Sequence, residues 1–325
     1  MKKKLVLLFP SVGRRVALVR AFRNAAKHAG VQCVVVGTDL NENSPALQCC
    51  DRKHLVLPVT HRGFARQMLQ IIREQQVDLV IPTIDTDLPF WAARRSRLDK
   101  LGCTALVSRP SVVRICRDKR LTFEFLQKNG FATPPTWQPQ KALARRTHHF
   151  PYFLKPWDGC ASRGAQRVDD LEALRFYARR IPNCIVQQFV PGQEFTVDVF
   201  VDFKGNVRCI VPRCRLEVRA GEVSKAITVR HPDIIEQSQK VVEALRAGPG
   251  VITLQGFLND DQGMVFIEIN PRLGGGVPLS IKAGADFPRW LVELYLKKPV
   301  KISQESWKTG LTMLRYDDAV WLEKS

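Results

Sequence analysis

Short apolar runs alternating with stretches of helical spacing set the strongest limit on how this chain can fold. Lys4–Phe9 is one such run; it is followed by Val16–Ala29, where Val16, Val19, Phe22 and Ala26 recur at helical spacing, then by Gly30 and a second run, Val31–Gly37. Val56–Val59 reads as short and extended, Phe64–Gln75 carries Met68, Ile71 and Ile72 on one face, and Leu79–Ile81 follows Asp78. Runs that are apolar throughout belong to strands covered on both faces, and the helical segments between them supply the crossovers of a parallel sheet. The expectation is a doubly wound α/β domain. In such sheets ligands sit beyond the carboxyl ends of the strands. That edge should carry Ser11, Gly13 and Arg14 after the first run, Thr38 and Asp39 after the second, and Thr83, Asp85 and Asp87 after the run ending at Ile81. No GxGxxG follows the first strand, so dinucleotide binding is not supported.

From Ser108 the pattern changes. Ser111–Asn129 reads as one helix, with Pro110 at its start and Gly130 at its end. Pro134 and Pro135 mark a connection, Tyr152–Lys155 is a short strand ending in lysine, and Asp158–Ala165 is small and irregular. Leu171–Arg179 looks helical, Ile185–Val190 and Glu194–Asp202 extended, and Val251–Leu258 with Met264–Ile269 a hairpin across Asp260–Gly263. At 325 residues and 45% hydrophobic, the chain has material for about two domains, and disorder or a disulfide scaffold is excluded. The longest apolar runs are a few residues, far below the ~20 of a membrane span. Met1–Lys4 before Leu5–Phe9 mimics a signal peptide, but the apolar part is too short and Pro10 interrupts it.

The formal charge of +19 makes anionic partners attractive. The arginines nevertheless come as scattered pairs, Arg14/Arg15, Arg94/Arg95, Arg145/Arg146 and Arg179/Arg180, so a basic solvated surface is expected rather than nucleic acid as the main partner. Nine cysteines, none in a CxxC, are expected to be free thiols in a reducing cytoplasm.

Chemistry concentrates in Phe266–Arg272 (FIEINPR), followed by Gly274, Gly275 and Gly276. Strand side chains alternate, so Glu268 and Asn270 share a face. A carboxylate and an amide there suit a hard cation such as Mg²⁺ that keeps phosphates as its other ligands. With a four-residue loop at Asp260–Gly263, Asn259 pairs with Met264 and Gln255 falls opposite Glu268. A one-residue slip would put Gln255 on the other face. Arg272, just beyond, can neutralise a transferring phosphoryl group. Lys155 before a glycine-containing loop suits phosphate charge, although no Walker A sequence is present. The segment Gln187–Glu194 can offer backbone groups to an adenine edge and a carboxylate to ribose.

These three segments, in this order, resemble the ATP-grasp superfamily, closest to its carbamoyl-phosphate-synthase-like branch with a pre-ATP-grasp N-terminal domain. Ser11–Arg15 (SVGRR) and Val77–Pro82 (VDLVIP) look like that N-terminal domain, Arg117–Lys119 and Thr133–Pro135 like the entry to the A subdomain. The resemblance implies a Rossmann-like parallel-sheet domain (1–109) followed by an α+β ATP-grasp fold of two subdomains (110–184 and 185–325). It implies that Lys119 and Lys155 contact ATP phosphates under a mobile loop containing Gly159, Ser162 and Gly164. Gln188, Phe189 and Val190 would bind adenine and Glu194 ribose, while Gln255, Glu268 and Asn270 would hold Mg²⁺, with Mn²⁺ as a substitute. Arg215, Arg219 and Lys225 resemble the stretch near phosphates and acceptor. Two departures stand out: Gln188 occupies a position that commonly carries Glu, and Cys160 and Ala161 make the loop poorer in glycine.

Family members phosphorylate a carboxylate with ATP and let an amine or another nucleophile, such as a thiol, attack the acyl phosphate. The resemblance therefore implies an ATP- and Mg²⁺-dependent ligase, with Arg272 and Lys155 as catalytic groups and Arg14, Asp85, Asp87 and Arg219 recognising a small-molecule substrate. Homodimers are common among such proteins. The alternatives are a kinase of bicarbonate or carbamate, a non-catalytic nucleotide-binding module, and a nucleic-acid binder.

Overall fold

The structure is a computed structural model that describes residues 4–159, 163–219, 221–259 and 262–323. Its first sheet is the parallel one expected. Strands β1 (Lys4–Phe9), β2 (Gln32–Asp39), β3 (Arg52–Leu55), β4 (Leu79–Val80) and β5 (Thr104–Ala105) lie in the order β3-β2-β1-β4-β5. The helices Val16–His28 and Phe64–Gln75 supply crossovers, the first burying Leu18, Val19, Phe22, Ala25 and Ala26. The third strand is Arg52–Leu55 rather than the expected Val56–Val59. Asp51 anchors it by accepting from Val35 N at 2.7 Å, and Pro58, with no N–H to give, ends the extended path. Strand order reverses between β1 and β4, so the loops after those two strands face each other. Thr83 ties them by donating its hydroxyl to the carbonyls of Pro10 and Ser11.

The expected long helix at 111–129 is two helices, Pro110–Arg117 and Lys119–Lys128. Asp118 between them is extended, and its carboxylate accepts from Arg120 N at 2.9 Å, so it caps the second helix and breaks the first. An antiparallel sheet follows, β6 (Thr136–Trp137), β7 (Tyr152–Pro156), β8 (Gln166–Val168) and β9 (Cys184–Gln188), in the order β6-β9-β7-β8. The helix Leu171–Arg180 covers it through Leu174, against Tyr152, Leu154 and Val186.

The third sheet is also antiparallel: β10 (Gln193–Val201), β11 (Val207–Arg219), β12 (Glu222–Thr228), β13 (Gly250–Asn259), β14 (Gly263–Asn270) and β15 (Thr312–Leu314), in the order β14-β13-β10-β11-β12-β15. The turn between β13 and β14 is one residue shorter than expected. Asn259 pairs with Gly263 and Leu258 with Met264, yet Gln255 still pairs with Glu268, because a bulge leaves Ile267 without a partner. Gly256 makes this possible: a Cβ on it would stand 2.3 Å from the Val265 carbonyl oxygen.

One hydrophobic cluster joins the two ends of the chain. Leu5, Leu7, Phe9 and Phe22 of the parallel-sheet region share it with Phe200 of β10 and with Phe287 and Trp290 of the helix Phe287–Tyr295. Phe200 lies 5.8 Å from Phe287 and 5.4 Å from Trp290, ring centre to ring centre. This common core holds the parallel sheet against the third sheet and fixes the space between them. Among the described residues no helix is long and apolar enough to cross a membrane, and the eight described cysteines are free thiols.

Candidate active site

A cavity of about 580 Å³ opens where the three sheets meet. That is an ordinary size for a small-molecule site. Its apolar wall is Phe153, Phe189, Val190, Phe257 and Ile267, the last turned into use by the bulge. Gln188 ends β9 beside this wall. Its amide nitrogen donates to the carbonyls of His149 (2.8 Å) and Pro151 (3.2 Å), which leaves the amide oxygen as the atom for a ligand. Glu194 and Arg215 pair at 2.5 Å on the next strands. Burial pushes the Glu194 carboxyl above its ordinary range, against the pull of Arg215.

Two lysines stand at the middle of the cavity. Lys155 is the last residue but one of β7, is only 8% exposed, and burial lowers its pKa to about 8 although Glu268 pulls upward. Lys119 opens its helix, donates to the Gly159 carbonyl at 2.6 Å and lies 3.6 Å from Glu268. The facing strand pairs Gln255 with Glu268 and Thr253 with Asn270, so these four side chains share one face of the sheet. Gln255, Glu268 and Asn270 are oxygen donors. Among the described residues no three or more His, Cys, Asp or Glu cluster as a metal site. The set therefore fits a hard cation that takes its other ligands from phosphates, and would not hold a soft metal on its own.

Arg272 follows β14 and reaches across to the parallel-sheet region. Its Nη2 and Nε donate to one oxygen of Asp85, at 2.6 and 3.1 Å. Next to it, Gly275 and Gly276 lie against two arginines that the motif reading did not single out. A Cβ on Gly275 would meet Arg15 Nη1 at 2.8 Å, and one on Gly276 would meet Arg213 Nη1 at 2.3 Å. Arg213 is 1% exposed and is held by Asp198 through two bonds of 2.8 and 3.0 Å. Asp198 also accepts from Ser280 at 2.6 Å.

Of the residues singled out in the sequence, Lys119, Lys155, Gly159, Gln188, Phe189, Val190, Glu194, Arg215, Gln255, Glu268, Asn270, Arg272 and Asp85 line this cavity. Thr83, Gln187, Gly274, Gly275 and Gly276 line it too, and the remaining residues fall elsewhere. Arg14 is 75% exposed and faces Glu222 from outside, while its neighbour Arg15 lines the cavity. Asp87 is 2% exposed and accepts from the Ser11 hydroxyl at 2.6 Å. Lys225 pairs with Glu217, and Arg219 and Gly164 are not among the lining residues. Ser162, with Cys160 and Ala161, lies outside the described residues. Arg15 carries one local signal: it is the N-cap of the helix Val16–His28, three and four residues before the buried Leu18 and Val19, a spacing that by itself does not separate it from Arg14, four before Leu18.

The family described as "ATP-grasp in the biosynthetic pathway with Ter operon" matches residues 180–319, and the family described as "PylC-like, N-terminal domain" matches residues 7–106. A D-alanine–D-alanine ligase of Fusobacterium nucleatum subsp. nucleatum is 23% identical over 186 residues, 54% of this chain and 63% of that protein, so the match spans less than two thirds of the relative. In fold, the chain resembles a biotin carboxylase from Campylobacter jejuni solved as a βγ-ATP complex (TM-score 0.76, 16% identity, 94% of this chain and 74% of that one). It also resembles an L-amino acid ligase from Bacillus licheniformis (TM-score 0.71, 21% identity, 91% of this chain and 75% of that one). On an α/β fold of one parallel and two antiparallel sheets, the chain thus matches a PylC-like N-terminal domain over residues 7–106 and an ATP-grasp domain over residues 180–319.

Proposed function

We propose that this protein is an ATP-dependent ligase that activates a small carboxylate as its acyl phosphate and joins it to an amine, releasing ADP and phosphate. The observation that carries the reading is the meeting of Lys119, Lys155, Glu268, Asn270 and Arg272 in one cavity beside the apolar wall and the Gln188 amide. The D-alanine–D-alanine ligase and the L-amino acid ligase it resembles point the same way. The adenine edge takes the apolar wall, with its exocyclic amine donating to the Gln188 oxygen. Lys155 and Lys119 hold the phosphate tail. A carboxylate oxygen attacks the terminal phosphorus, the bond to the ADP oxygen breaks, and Arg272 neutralises the charge that develops. The amine then attacks the acyl carbon, phosphate leaves, and the amine proton is lost. Gln255, Glu268 and Asn270 would hold Mg²⁺, or Mn²⁺ in its place, which when bound offsets phosphate charge.

In this reading residues 1–109 form the substrate-side domain and 110–184 and 185–325 the two halves of the nucleotide clamp. A carbamoyl-phosphate-synthase-like kinase of bicarbonate is the second reading, favoured by the fold shared with a biotin carboxylase. The free thiols fit a reducing cytoplasm. The test is ADP release with Mg·ATP against carboxylate and amine pairs, with bicarbonate as a separate arm. A pair should stimulate release, and Glu268→Ala should lower it by about 100-fold or more. Normal turnover in Glu268→Ala would overturn the site assignment; stimulation by bicarbonate alone would favour the second reading.

A further inference from the structure

Among the described residues, two buried atoms of opposite charge that line the cavity are left without partners. Arg213 spends Nε and Nη2 on Asp198, and its Nη1 is buried with no hydrogen-bond partner among the described residues. Asp85 gives one carboxylate oxygen to Arg272, and its other oxygen, Oδ1, is likewise buried and unpartnered among the described residues. Both side chains line the cavity, as does Arg15. Gly275 and Gly276 leave both guanidinium groups uncovered, because a methyl group at either position would crowd the nitrogen behind it. The network behind them is firm: Asp198 is held by Arg213 and Ser280, so Arg213 has no second position to adopt without breaking buried bonds.

A buried charged donor and a buried charged acceptor, each unsatisfied, call for a ligand that brings both an anion and a cation. A nucleotide brings only the first, a simple carboxylate likewise, and a simple amine only the second. We propose that the cavity binds a free amino acid as its zwitterion, the carboxylate between Arg15 and Arg213 Nη1 and the ammonium on Asp85 Oδ1. This rests on the ligase reading above and names its substrate class. It also makes the N-terminal domain, through Arg15 and Asp85, the part that selects the substrate.

The test is steady-state ADP release by the full chain at saturating Mg·ATP, with three compound sets: free amino acids of both hands, the matching amines that lack the carboxylate, and the matching N-acetyl acids that lack the ammonium. Each set is run with and without a second amine. At least one free amino acid should stimulate release about tenfold or more above both of its analogues. Arg15→Ala should raise the KM for that amino acid by about tenfold or more while the KM for ATP stays within about twofold, and Arg15→Lys should recover part of the loss. Asp85→Asn, which keeps an oxygen for Arg272, should raise the amino-acid KM and leave that of the N-acetyl acid unchanged. A plain structural role for Arg15 would move the ATP KM as well. Equal stimulation by N-acetyl acids, or an unchanged amino-acid KM in Arg15→Ala, overturns this inference and leaves the ligase reading standing. If no carboxylate of any kind stimulates release, both fall together.

Discussion

Lys155 carries a charge that the cavity itself works against. Burial lowers its pKa to about 8, Lys119 adds to the lowering, and Glu268 and Glu194 only partly offset it. Above that pH the free protein holds a neutral amine where, on the proposed function, phosphate charge is to be met. Nucleotide binding must then take up a proton, so affinity falls as pH rises, by up to about tenfold per pH unit. Calorimetric titration of ATP between pH 7 and 9.5 should show this fall, and Lys155→Arg should flatten it because a guanidinium stays charged. A flat profile in the unaltered protein would remove Lys155 from the phosphates. The places of Lys155 and Arg272 in the cavity were legible in the sequence because each stands near a strand end beside a glycine-containing loop, and those of Glu268 and Asn270 because alternation puts them on one face of a strand. Arg213 was not. On β11 it is one arginine among Arg208, Arg215 and Arg219, and only the buried Asp198 on the paired strand distinguishes it.

At the level of elements, the β13–β14 hairpin reaches the expected face by an unexpected route. A turn shortened by one residue would have sent Gln255 to the wrong side, and the bulge at Ile267 restores the pairing with Glu268. Bulges leave little trace in sequence; Gly256, whose absent side chain lets the Val265 carbonyl approach, is the hint that was there. Gly256→Ala should therefore force β13 and β14 apart, costing about 1–3 kcal/mol of stability. Mg·ATP affinity should weaken with it, as read by urea unfolding and nucleotide titration. Unchanged stability would mean that the hairpin accommodates a Cβ without moving. The parallel sheet was readable because strands covered on both faces are apolar throughout. β11 and β12 were not, since their many charged residues mask the alternation. The break at Asp118 was missed for another reason: the apolar spacing continues through it, and only the capping carboxylate ends the helix.

On the scale of the whole molecule, the cluster that joins Phe9 and Phe22 to Phe200, Phe287 and Trp290 makes the two ends of the chain one folding unit. Phe200→Ala should cost about 3–5 kcal/mol. The loss should appear as one transition, with the same midpoint by circular dichroism and by tryptophan fluorescence. Separate steps would show that the parallel sheet stands without the rest. A related consequence follows from the bridge between Asp85 and Arg272, whose partners are 187 positions apart. As a ribosome delivers the chain from its N-terminus, the parallel sheet emerges long before the arginine that completes the pocket. On the proposed function, a half-made molecule would thus have no competent phosphoryl-transfer centre, and would spend no nucleotide until synthesis had passed the last glycine-rich turn.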